Sequence, residues 1–428
     1  MVQDREKGLN IATPPEHGLG AGRRIFYGWI IVGVAALAFF SSGPGQSYVF
    51  SVFLDSIISD TGLSRPGISA LFMASTAASA LMVSVVGRMA DRFGPRAMLI
   101  AVGCALPVAC FGMAVATNRI LFYLAFASLR ALGQGSLPIN ATLLVNQWFV
   151  SRRGQAIAIM GLGMVLSTAV FPPLARLLID HIGWREAYAL LGILALVLVV
   201  PPALLFVRNR PEDIGLFPDG RPHPPAVETR QAKAGADRDR RVLSSPTFWL
   251  LGLSLATTSL VTTALTFHQT SIFVESGLSE TLAAGVFVIY AASSAVTTMI
   301  GGLVVDRTGP KVLFGFGMVM LLLALLLAVA INSIFLAVLY VLVMGIAGGF
   351  HAIVQGVIWA HYYGRHRLGR VQGTATTIGI CGSAVGPLPL ALFHDVTGTY
   401  TAGMVAIMVL PALSLLSIAL ARPRSLAG

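Results

Sequence analysis

Residues 87–96 read Gly-Arg-Met-Ala-Asp-Arg-Phe-Gly-Pro-Arg, and residues 302–311 read Gly-Leu-Val-Val-Asp-Arg-Thr-Gly-Pro-Lys. Both stretches keep Gly, Asp-Arg and Gly-Pro at the same places, and each closes on a base. The displacement that carries Gly87 onto Gly302 recurs elsewhere. Gly62-Leu63-Ser64 returns as Gly277-Leu278-Ser279, Gly154 as Gly369, Pro172 as Pro387, and Asp180-x-x-Gly183 as Asp395-x-x-Gly398. Separated matches at one displacement are the mark of a duplicated architecture.

The chain between these matches is apolar. Of 428 residues, 56% are hydrophobic and 11% charged, and the mean hydropathy is +0.80, whereas about 25% of an ordinary soluble domain is charged. The apolar residues fall into blocks of about 20 or more, enough to cross a hydrocarbon core about 30 Å thick. Twelve blocks are expected to span, near 26–53, 66–89, 97–117, 120–149, 155–179, 186–207, 247–274, 281–305, 311–331, 334–361, 369–393 and 402–421. The expected fold is therefore an all-α integral membrane protein, twelve transmembrane helices in two six-helix bundles, 26–207 and 246–421. Residues 1–25, 208–245 and 422–428 form a tail, a linker and a second tail. The linker, with Asn209-Arg-Pro-Glu-Asp-Ile-Gly215 and a run of charges after Arg230, carries too little apolar surface to fold by itself.

Net charge is +11, and the places of the bases explain it without nucleic acid. With the N-terminus inside and the spans alternating, all of the 29 Lys and Arg lie on the inner side except Arg65, Arg119, Arg130, Arg176 and Arg185. That asymmetry orients membrane proteins and places both termini and the linker in the cytoplasm. The segment from Met1 to Gly22 is too polar for a cleaved signal sequence. Cys104, Cys110 and Cys381 sit inside apolar blocks, where cysteine is mostly a small packing residue.

Here the sequence resembles a known family. The paired loops, Arg130-Ala-Leu-Gly-Gln-Gly135 in span four, Arg152-Arg153-Gly154 and Gly183-Trp-Arg-Glu-Ala-Tyr188 resemble the signatures of the major facilitator superfamily, over nearly the whole chain. Phe26-Tyr-Gly-Trp29, Arg210-Pro-Glu-Asp-Ile-Gly-Leu-Phe-Pro-Asp-Gly220, Ser245-Pro-Thr-Phe-Trp249 and His361-Tyr-Tyr-Gly-Arg-His-Arg-Leu-Gly369 resemble its bacterial monocarboxylate and oxalate/formate porter branch. The resemblance implies a solute site between two parallel repeats and transport by alternating access. The sequence departs from that branch at one place. The branch has a basic, carboxylate-binding residue eight positions before the second loop aspartate, and here that position is Thr298; span eleven likewise lacks the lysine of the oxalate exchanger.

The loop charges Asp91, Arg92 and Arg96, with Asp306, Arg307 and Lys311, have two readings: gate residues that bias one of two packings, or orientation-setting charges. Gly43-Pro44-Gly45 is expected to bend span one, because proline and glycine free backbone groups where a helix lines a cavity. No carboxylate is expected deep in a span. Arg130 is the deep base, about eleven residues into span four, roughly 16 Å at helical rise. It is expected to face the cavity, either contacting an anion through its planar fork or coupling helix movements. His268 and His351 are candidates for proton coupling or for hydrogen bonds across helices. Gln46, Tyr48, Gln134, Tyr290, Thr298 and Gln355 are further pathway candidates, beside Ser47 and Thr297.

The expected function is secondary transport of a small solute, most simply a small organic anion such as a monocarboxylate. Export of a toxic compound, drug or metalloid is the alternative that Thr298 keeps open. The expected setting is the bacterial inner membrane, with the lipid bilayer, the solute and protons as partners and a monomeric state. No HExxH, GxxxxGK[ST] or Cys/His ligand spacing occurs, so neither an enzyme, a cofactor nor a metal is expected.

Overall fold

A computed structural model describes residues 26–150, 152–220, 245–363 and 368–421. The termini and the remainder of the linker fall outside these residues, as do the side chains of Asp91 and Asp306. Among the described residues the chain is helical, without strands, as it must be where lipid offers the backbone no hydrogen bonds. Eleven helices are long and apolar enough to cross a membrane. The remaining crossing, residues 65–93, is continuous with the next across a sharp turn at Gly94, within Arg65–Ala114.

Two cores form. One gathers buried residues from Ile31 to Val207, with Phe267 and Ala284 added from the other half; the second runs from Phe248 to Ala421. The chain therefore packs as two six-helix bundles.

The turns repeat with the sequence. Positive φ occurs at Gly62 and Gly277 (63° and 76°), Gly94 and Gly309 (both 81°), and Gly183 and Gly398 (88° and 75°), each pair related by the displacement of the sequence repeat. Only glycine reaches such angles without a Cβ clash. Ser64 and Ser279 cap the following helices by accepting from the amides of Gly67 and Leu282, both at 3.1 Å.

The bases that close the two loop motifs are also paired. Arg96 donates to the Leu204 carbonyl at 2.9 Å, and Lys311 to those of Ala419 and Ala421 at 2.9 and 2.8 Å. Each covers the C-terminal end of the sixth helix of its own half, where carbonyls lack partners and the dipole is negative. This end of the molecule, with both loop motifs, is called the basic end below.

Span one departs most from a plain helix. Gly28–Phe40 and Ser47–Thr61 are separate helices, joined by a tight turn at Gly43–Gly45 and an extended Gln46 (φ −94°, ψ 151°). The expected bend is thus a full break. The second helix also runs past the expected end at residue 53, which puts Asp55 inside it. Pro172 and Pro173 do not interrupt their helix, Arg153–Ile182, whereas Gly386 separates Leu368–Val385 from Pro387–Thr397 in span eleven.

The linker is less loose than its composition suggests, because residues 208–220 dock on the first bundle. Trp148 donates its indole N–H to the Arg208 carbonyl at 3.0 Å. Asn209 Oδ1 accepts from the Arg96 amide at 2.9 Å, and Asp219 accepts from the amides of Val150 and Arg152 at 3.2 Å. Its polar groups find partners on the bundle rather than in a core of their own.

Candidate functional site

Breaking span one in mid-membrane turns the start of Ser47–Thr61 into the centre of the molecule. A cavity of about 310 Å³ opens there between the halves, bounded by Gln46, Ser47, Tyr48 and Gln134 on one side and by Thr262, Tyr290 and Ser294 on the other. It continues toward the basic end into a second chamber of about 290 Å³, where Thr258, His351, Gln355 and Thr376 replace the residues of span one. Gln134, Thr262, Thr263, Tyr290 and Ser383 border both. Among the described lining residues no Asp, Glu, Lys or Arg occurs; hydroxyls and amides share the walls with apolar side chains, Met164, Val165 and Phe287 in the first chamber and Ile380 in the second.

Tyr48 is fixed by donating to Ser167 Oγ at 2.8 Å, and Gln46 by donating to Ser42 Oγ at 3.2 Å. Tyr290 reaches the cavity because span ten has a glycine opposite it: a Cβ on Gly348 would lie 2.8 Å from the Tyr290 hydroxyl oxygen. Gly348, His351 and Gln355 stand three and four residues apart, on one helix face. Gln46, Tyr48, Gln134, Tyr290, His351 and Gln355 thus meet in one continuous space.

Arg130 is not in it, and its expected position facing the cavity is corrected here. It is 1% exposed and sits one layer behind the wall, inside the first bundle. Its Nη1 donates to the Gly45 carbonyl at 3.0 Å and approaches Ser47 Oγ at 3.4 Å, its Nε donates to Thr76 at 3.2 Å, and its guanidinium lies 4.4 Å from the Phe72 ring centroid. Its Nη2 has no hydrogen-bond partner. The reason is local. Residues 130–136 form a widened π-helical turn, the kind of irregularity that re-aims side chains. Gly133 also lets the broken turn come close, since a Cβ on Gly45 would meet its Cα at 2.9 Å. The guanidinium is drawn to the carbonyl freed by the break.

Thr298 does not line the cavity either. Its hydroxyl donates to the Ser294 carbonyl at 2.8 Å and lies 3.4 Å from the Gly349 carbonyl. Spans eight and ten touch there, a Cβ on Gly349 falling 2.6 Å from Thr297 Cβ, so the site faces a helix and not solute.

His268 is 0% exposed and belongs to a network at the end opposite the basic one. Its Nε2 donates to the Pro387 carbonyl at 3.0 Å, which leaves Nδ1 to accept from the Tyr400 hydroxyl at 3.2 Å. Tyr400 in turn accepts from Arg65 Nη1 at 3.1 Å. Arg65 pairs with Asp55 at 2.8 Å and donates to Ser271 at 2.7 Å. Arg176 forms ion pairs with Asp180 and, across the halves, with Glu280. Phe267 stacks on Phe50, centroids 5.3 Å apart, and meets Phe72 edge-on at 4.8 Å. Together these contacts close the far end. The sequence reading weighed a gate only at the motif loops and did not anticipate these contacts; their signal was that Arg65 and Arg176 stand apart from the basic side. At the basic end Arg92 covers Phe93, Arg307 is exposed, and Asp91 and Asp306 lie outside the described side chains.

A model of the Major Facilitator Superfamily matches residues 34–293 and 251–427. The chain belongs to this superfamily. Among curated relatives, this facilitator is 25% identical over 322 residues to the uncharacterized MFS-type transporter YbcL of Bacillus subtilis, covering 73% of this chain and 75% of that protein. It is 30% identical over 167 residues to a multidrug resistance protein B homolog of Mycobacterium tuberculosis (38% and 30% covered), and 28% over 205 residues to monocarboxylate transporter 13 of Bos taurus (47% and 45%). The fold matches the crystal structure of a bacterial homolog to the human lysosomal transporter Spinster, with a TM-score of 0.76 and 18% identity over 92% of this chain and 97% of the other.

Proposed function

We propose that this facilitator carries a small organic anion of the monocarboxylate class across the bacterial cytoplasmic membrane by alternating access, its basic end and both termini in the cytoplasm. The observation that carries the reading is the break in span one, which presents a half-helix N-terminus to the cavity with the Arg130 guanidinium behind it. The first amides of a helix have no partner within it, and the aligned dipoles place roughly half a positive charge there. Arg130 adds a full charge that no carboxylate balances among the described residues. Burying such a charge unpaired costs several kcal/mol, and an anion seated at Ser47 offsets that cost. The orientation follows from the bases. The likeness to monocarboxylate transporter 13 over its matched part agrees with the substrate class, and His351 is the candidate for proton exchange on the cavity wall.

Purified protein in proteoliposomes tests this by binding and uptake of labelled short carboxylates under an imposed proton gradient. Arg130→Ala, confirmed as folded, weakens carboxylate binding by roughly 2–5 kcal/mol, as expected on truncating one member of a buried charge interaction. Arg130→Lys restores little, because a point-like ammonium lacks the guanidinium fork. Unchanged binding in Arg130→Ala, with transport lost, would leave Arg130 as a coupling residue and remove the anion site.

The uncharged lining favours a second reading, export of a neutral toxic compound or drug, in line with the matched part of the multidrug resistance homolog. Drug-dependent quenching in everted vesicles that is insensitive to Arg130→Ala would select it.

A further inference from the structure

We infer that the transported anion is elongated and hydroxylated: its charged group sits at Ser47, and its hydroxyl groups reach the second chamber, where His351 and Gln355 bind them. This rests on the anion reading above and names the substrate within it. A short acid does not use the space. At about 30 Å³ for each water-sized group, a three-carbon acid fits in the first chamber alone, and the second, of about 290 Å³, is left to water.

The chemistry of that second chamber selects what fills it. A neutral imidazole has one donor and one acceptor nitrogen, and an amide offers both kinds. The His351 imidazole and the Gln355 amide line the second chamber, and Thr258 and Thr376 add hydroxyls to the same wall. An alkyl tail would displace water from the imidazole and the amide and leave their wall-facing polar groups unpaired, at about 1–3 kcal/mol for each. A second carboxylate would find no Lys or Arg among the described lining residues. A hydroxyl, at once donor and acceptor, satisfies imidazole, amide and threonine alike. The arrangement is fixed by the helix, since His351 and Gln355 are one turn apart and the Tyr290 hydroxyl occupies the space left by Gly348, at the junction of the chambers.

Isothermal titration of the full chain in nanodiscs with gluconate, lactate, hexanoate and sorbitol tests the inference. Gluconate is expected to bind at least 10-fold tighter than lactate, and hexanoate no tighter than lactate. His351→Ala and Gln355→Ala each lower gluconate affinity more than lactate affinity, so that most of the gluconate advantage is lost, and His351→Gln, which keeps a donor and an acceptor, restores part of it. Equal affinity for lactate and gluconate, or an equal loss of both in His351→Ala, overturns the inference and leaves the anion reading standing. Sorbitol binding as tight as that of gluconate, unchanged in Arg130→Ala, overturns both.

Discussion

At the displacement that relates the two halves, Arg130 has Gly345 as its counterpart, and Gly43-Pro44-Gly45 has Thr258-Ser259-Leu260. Span one is accordingly broken, while span seven, Pro246–Glu275, is one helix of 30 residues. Elsewhere the halves agree closely. Three pairs of positive-φ glycines, two serine caps and the base over the sixth helix repeat. So does the tie between the first and sixth spans, made by Asp60 to Trp184 and Arg185 in one half and by Glu275 to the Tyr400 amide in the other. Turns and caps answer to backbone geometry, which duplication preserves. Around the cavity the halves differ: the first places a helix end on the wall with a buried charge one layer behind it, and the second places hydroxyls and an imidazole there.

The sharpest way to break this contrast is at the turn unique to span one. Gly45→Ala forces a Cβ against the Gly133 backbone, and backbone cannot yield as a side chain tip can; substrate binding is expected to fall to background while the monodisperse protein is retained. Leu260→Ala, at the position of span seven that corresponds to Gly45 and borders neither chamber, changes binding less than twofold. Equal losses at the two sites would mean that the break has no special role.

A smaller effect separates the paired loops. Gly94→Ala and Gly309→Ala both impose strain of about 1–3 kcal/mol through positive φ, but a Cβ at 94 also meets Asn209 within 2.6–2.7 Å, whereas nothing lies within 4 Å at 309. Thermal unfolding should therefore drop further for Gly94→Ala. The docked linker contributes less again. Asp219→Ala loses hydrogen bonds to two amides, about 1 kcal/mol, and Asp219→Asn, which tolerates the φ of 61°, loses less. Protease sensitivity around residues 149–152 reads this out.

The smallest change is expected at the far end. Arg176 and Glu280 are partly exposed, with side-chain exposures of 15% and 37%, and such pairs are worth up to about 1 kcal/mol. Glu280→Gln should raise labelling of a cysteine at Ser51 by no more than about fivefold, by favouring the open far end. Lower labelling would show that the pair opposes closure.

Some expectations needed no contacts. The repeated loop glycines and a bend at Gly43–Gly45 were legible because each is a constraint on a few neighbouring residues, although the bend is a full break and the capping role of the repeated serines emerged only from the structure. The far-end contacts were not legible. Arg65 reads as an exception to the charge pattern, and nothing near it in the chain announces its partners Ser271 and Tyr400, both of which come from the other half.

Sequence alone determined the twelve crossings, the duplication and the basic end, because span length, glycine φ and the cost of moving bases through lipid are local quantities. Only the tertiary structure decided that Arg130 stands behind the wall, that His351 enters the cavity while His268 joins the far-end network, and that Thr298 faces span ten. A helix that meets lipid on one side and apolar neighbours on the other has no polar stripe to betray its rotation. Which face turns inward is therefore fixed by packing, through close approaches such as Gly45 on Gly133 and Gly349 on Thr297.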